Sequence, residues 1–157
     1  MTTTDTSELR AAYAELIAIA EAGGFGPPPA GQWRAELVMA HMAANDARLA
    51  AVTEAVLAGS EASYDNDGLW EEDSAALEDY VAAHPDLVAE LRKNSSQLFD
   101  LVDQLDDTTF NTVIPTHLTH AGQVVVDGPM PWGQVVAGAS MRHIAMHTSQ
   151  LRDLQTG

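Results

Sequence analysis

His41, His143 and His147 are the residues whose type and spacing point most directly to chemistry. His143 and His147 stand at i and i+4, so on a helix both imidazoles leave one face a turn apart and can grip a single metal ion. His41 lies on a separate predicted helix and supplies a third nitrogen. Three protein ligands leave coordination positions open, which marks a catalytic rather than a structural metal. Imidazole ligands suit a divalent cation, zinc first, with nickel, iron and manganese as alternatives. A lone His-x-x-x-His also arises by chance, and then reads as two helix residues with satisfied hydrogen bonds. Three features favour the metal. Both residues fall on an apolar stripe, a third histidine holds the same setting elsewhere, and three buried imidazoles without a shared partner are costly.

Other polar residues carry weaker signals. Asn45 and Arg48 share the stripe of His41. Arg48 is placed to hold a substrate carboxylate in a bidentate pair, or else to snorkel past the stripe toward one of the many acids. Asn45 and Gln150 are placed to hydrogen-bond a substrate or a metal ligand, or else are ordinary polar helix residues. His117 and His120, three apart in a strand or turn, point to opposite faces and read as solvated loop residues. His84, before Pro85, reads as a helix-end cap, and Trp33 and Trp132 as anchors at helix starts. Asp65-Asn66-Asp67-Gly68 lacks the remaining spacing of a calcium hand, and neither a Gly-rich phosphate loop nor a Gly-x-Ser-x-Gly elbow occurs.

Composition narrows the class. With 157 residues the chain reads as one domain, 1–157, with a hydrophobic core. Seven basic against 23 acidic side chains give a net charge of -16, which argues against nucleic acid and an anionic membrane surface as partners. Cysteine is absent, so any thiol chemistry uses a thiol from solution. The first residues have neither a basic segment nor an apolar one, so the expectation is a cytoplasmic protein with a small-molecule substrate. A homodimer is compatible with the sequence.

The elements that position the histidines follow from periodicity. The spacing predicts a helix from Ser7 to about Ala22, ended by Gly23-Gly24 and Pro27-Pro28-Pro29. A second runs from Gln32-Trp33 to about Ala58, with Glu36, Asp46, Thr53 and Glu54 opposite His41. A turn-rich loop over Ser60–Gly68 precedes a shorter helix, Leu69 to about Ala83, and a long one from Pro85 to about Leu105. Val113-Ile114 and Val124-Val125-Val126 predict a small β-hairpin before a last helix from Pro131 or Trp132 to about Leu154. The expected fold is all-α: a four-helix bundle with that hairpin in its last connection.

Two stretches resemble a known family. Trp33-Arg34-Ala35-Glu36-Leu37-Val38-Met39-Ala40-His41-Met42-Ala43 is similar to the "W…vlaHla" segment of the DinB/YfiT-like superfamily, and Pro131-Trp132-Gly133 through His143 to Leu151 to its closing "H…H…qL" helix. Pro115-Thr116-His117 to Pro131-Trp132 more specifically resembles the metal-binding domain of mycothiol-dependent maleylpyruvate isomerases. The resemblance implies a DinB-like four-helix bundle with a divalent metal on His41, His143 and His147. It also implies an activity among thiol-dependent transferases and isomerases, with a low-molecular-weight thiol such as mycothiol as cosubstrate. In the isomerase branch the middle ligand is typically a glutamate, where this chain has His143. The expected function is therefore a metal-dependent thiol transferase or isomerase. A metal-dependent hydrolase is one alternative, and a non-catalytic module whose metal holds two helices together, as a binding or stress-associated protein, is the other.

Overall fold

The computed structural model describes residues 4–66, 74–120 and 123–156. Its elements are α1 (Ser7–Ala22), α2 (Ala35–Leu57), β1 (Tyr64–Asp65), α3 (Ser74–Ala83), α4 (Leu87–Val102), α5 (Asp107–Phe110), β2 (Val113–His120), β3 (Gln123–Pro131), a π-helical stretch (Gln134–Ala139) and α6 (Ser140–Leu154). The stretch 67–73, which includes Asp67-Gly68 of the expected loop and the start of the helix expected from Leu69, lies outside the described residues.

The all-α expectation is overturned. A three-stranded mixed sheet, in the order β1-β2-β3, accompanies the helices. β2 and β3 pair antiparallel from Val113↔Pro131 to His120↔Gln123, a hairpin far longer than two valine-rich runs suggest. β1 joins β2 in parallel through Tyr64↔Thr116 and Asp65↔His117, inside the segment expected to be loop. The reason is physical. A two-residue strand is too short to display the period of two that identifies strands, and prolines within β2 and β3 mask the alternation.

Among the long helices, α1 lies against α4 and α6, while α2 lies against α3, α4 and α6. This central position explains a second correction. Asp46 and Thr53, expected on the wet side of α2, are buried, because neighbours cover more of that helix than one stripe. Both of these buried side chains have partners. Asp46 accepts the Tyr13 hydroxyl. Thr53 donates to the Leu49 carbonyl at 2.8 Å and accepts the Trp132 indole N–H at 3.0 Å. Trp132 is fully buried, as an anchor should be.

Local signals set the ends of the elements. Asp86 caps α4 by accepting the Ala89 amide. Gly23 and Gly24 end α1 at φ 66° and 74°, in the left-handed region that favours glycine. The last helix is not uniformly α: its first part is the π stretch Gln134–Ala139. A π turn is wider than an α turn, so a stripe drawn at 100° per residue across it drifts. α6 itself keeps regular spacing, with Ser140, Ile144, His147, Leu151 and Leu154 buried along one face. No described helix is long and apolar enough to cross a membrane.

Candidate metal centre

α2 and α6 bring the three histidines together. The Nε2 atoms of His41 and His143 are 2.8 Å apart, and those of His143 and His147 are 3.1 Å apart. The ligand atoms of all three lie within 4.8 Å of one another. His41 and His147 are buried, and His143 is partly exposed. The Trp33 ring lies against His41, with centroids 5.2 Å apart, and closes one flank.

Hydrogen bonding alone does not account for this convergence. An imidazole nitrogen carries either one N–H or one in-plane lone pair. The Nε2 of His143 can therefore satisfy one of its two short contacts, and not both. A cation resolves the conflict, because each nitrogen then presents a lone pair to a common point. Separations of 2.8 and 3.1 Å leave the nitrogens close enough to face one ion. The donor set thus fits a divalent metal of the zinc, nickel, iron or manganese kind.

The surroundings prepare the nitrogens for that task. His147 Nδ1 lies 2.8 Å from Gln150 Oε1. A carbonyl oxygen only accepts, so Nδ1 carries the proton and Nε2 is left with a lone pair aimed at the centre. Burial holds His143 well below the usual histidine range, reinforced by His147, His41 and His120. Burial also lowers His147 to about 4, against the opposing Gln150 hydrogen bond. Both rings are neutral at pH 7, the form that ligates metal.

A cavity of about 520 Å³ opens beside the centre, and its wall includes His41, His143, Asn45, Tyr64, His120 and Arg142. Tyr64 donates its hydroxyl proton to Asn45 Oδ1, which ties β1 to α2. Leu118, Thr119 and His120 all line the cavity although they are consecutive. A bulge between Leu118 and Thr119 breaks the alternation and allows it.

The sequence-predicted residues divide accordingly. His41, His143 and His147 meet, and Asn45 lines the cavity. Arg48 is not in the lining: its guanidinium donates to the Asp65 carbonyl at 2.8 Å and anchors β1. His117 and His120 belong to strand β2 rather than to a loop. His117 lies 3.4 Å from Asp127, whereas His120 reaches the cavity. His84 stacks on Tyr80 with centroids 4.0 Å apart and contacts the Tyr80 carbonyl, at the end of α3. Sequence reasoning did not single out Tyr64 or Arg142. The adjacency of Arg142 to His143 was the available signal for one, and nothing local signals the other.

No family model, curated protein or solved structure matches the chain.

Proposed function

We propose that the chain is a divalent-metal-dependent enzyme that uses a small thiol from solution to transform a small electrophile by transfer or isomerisation. The observation that carries this reading is the convergence of three histidine Nε2 atoms beside a cavity of about 520 Å³. That volume suits a small molecule. A divalent cation, when bound, lowers the pKa of a coordinated thiol or water and so provides a nucleophile at neutral pH.

The residues of the chain do the rest. His41, His143 and His147 hold the ion, and Gln150 fixes the tautomer of His147. Leu49, Leu118, Val126 and Val135 give the cavity apolar walls, which exclude water and strengthen electrostatic interactions within it. Tyr64 directs its proton to Asn45, leaving a phenolic oxygen as an acceptor in the wall. The resemblance to DinB/YfiT-like proteins supports the choice of a thiol. No cysteine of the chain competes for that role.

The test is reconstitution of the chain with zinc, nickel, iron or manganese, followed by assays of electrophile conversion, with and without mycothiol, over a panel of epoxides, unsaturated carbonyl compounds and activated esters. The expected result is thiol-dependent turnover that disappears on chelation and in His143→Ala. Turnover that needs the metal but no thiol would replace this reading with a hydrolase. Tight metal binding without turnover on any electrophile would leave a metal that only joins α2 to α6.

A further inference from the structure

The chain has only seven basic side chains among 23 acidic ones, and nearly all are engaged. Arg10 pairs with Asp100 and Asp103, Arg34 with Glu78, Arg92 with Glu21, Lys93 with Glu90 and Arg152 with Glu15. Arg48 is held by the Asp65 carbonyl. That leaves Arg142, which makes no hydrogen bond or ion pair with any described residue. It is an exposed residue of α6, next to His143, and it lines both the cavity at the histidine centre and a neighbouring one of about 420 Å³.

The cavity has a second unusual property. Among its described lining residues there is no Asp or Glu, although the chain carries a net charge of -16. Its polar lining consists of Arg142, histidines, Asn, Thr, Ser and Tyr64, set among leucines and valines. In a molecule this acidic, a cavity with no acid and an uncommitted guanidinium among its described lining residues is a place where an anion meets attraction instead of repulsion.

We propose that Arg142 is the substrate-binding residue that selects a small molecule bearing one carboxylate and an apolar body. The inference deepens the proposed function, on which it rests for the site being catalytic. A guanidinium presents a planar fork that matches a carboxylate in two parallel hydrogen bonds. A phosphate is disfavoured, because the lining has neither a lysine nor a Gly-rich phosphate loop, and the acidic molecule repels a dianion more strongly than a monoanion. The apolar body lies against Leu118, Val126 and Val135, on the walls that Arg142 adjoins.

The experiment measures binding rather than turnover. Hexanoate, hexanamide and hexyl phosphate are titrated by calorimetry and by chemical-shift perturbation into metal-loaded and chelated full-length protein. Arg142→Gln and Arg142→Lys are treated in the same way, and metal content is measured for each sample. A charge-assisted bidentate pair is expected to give hexanoate an advantage of about tenfold over hexanamide. That advantage persists after chelation, vanishes in Arg142→Gln with metal content unchanged, and partly returns in Arg142→Lys. A preference for hexanoate that survives in Arg142→Gln, tighter binding of hexyl phosphate, or no binding of hexanoate overturns the proposal. If Arg142-dependent binding is found in protein that takes up no metal, the enzymatic reading fails while the anion site stands.

Discussion

Asp46→Asn is expected to change the pH dependence of stability in a calculable way. Asp46 is buried, receives the Tyr13 hydroxyl, and contacts no cation among the described residues. Burial raises its pKa from 3.8 to about 8, against the opposing effect of the Tyr13 hydrogen bond. Below pH 3.8 the carboxyl is protonated in both folded and unfolded chains and does not affect the balance. Between pH 3.8 and about 8 the unfolded chain is ionised there and the folded chain is not, so folding takes up a proton. Stability from this group therefore falls as pH rises through that window, by ~1.4 kcal/mol per pH unit, and levels off above it. Between pH 5 and pH 8 the loss is roughly 3–4 kcal/mol. The neutral histidines act in the opposite direction. His143 and His147 are lowered, so the unfolded chain binds more protons there and stability rises with pH up to the ordinary histidine value of 6.5. Asparagine copies the shape of the neutral acid and cannot ionise. The difference between wild type and Asp46→Asn cancels the histidines and isolates Asp46. Urea denaturation of both proteins at unit intervals from pH 5 to pH 9 gives that difference. It should move steadily in favour of the variant up to about pH 8 and then become constant. A difference that stays flat from pH 5 to pH 9 would mean that Asp46 is ionised in the fold and that the Tyr13 hydrogen bond outweighs burial.

Three further outcomes follow from individual contacts. Gln150→Ala removes the partner of His147 Nδ1 and is expected to weaken metal binding ~10–100-fold without unfolding the chain, as read by competition with a chelating dye. Thr53→Val leaves the buried Trp132 N–H without its acceptor and should cost ~1–3 kcal/mol in urea denaturation. Gly133→Ala drives a methyl carbon into the ring of Phe110, so the ring must move, and a loss of ~1–3 kcal/mol is expected by the same measurement.

The parts of the fold that could be read from the sequence are those with long, regular patterns. α1 and the outlines of α2, α4 and α6 emerge from 3.6-residue periodicity and from the glycines and prolines at their ends. The β2–β3 pairing was legible in its valine-rich runs, but its full length and the addition of β1 were not. β1 is two residues long, and β2 and β3 carry prolines and a bulge that spoil alternation. The burial of Asp46 and Thr53 was hidden too, because a single stripe cannot reveal that α2 has neighbours on several sides. At the site, His143 and His147 were legible because their spacing along one helix is a local property. The meeting with His41 was legible as a shared apolar setting. Arg142 was not, since its significance lies in what surrounds it: a cavity with no acid among its described lining residues, and six other basic residues already engaged. Tyr64 reaches the cavity only through the parallel pairing of β1 with β2, which joins residues far apart in sequence.

The most direct test of the central claim is the metal content of the full-length protein, measured by elemental analysis after exhaustive dialysis in high salt. High salt strips ions that surface carboxylates hold loosely. The expected result is about one divalent ion per chain in wild type and in His84→Ala, with that ion lost in His41→Ala, His143→Ala and His147→Ala. The same stoichiometry in wild type and in all three site variants would contradict the assignment of the metal to His41, His143 and His147, as would a wild-type protein that takes up no ion when divalent metal is supplied.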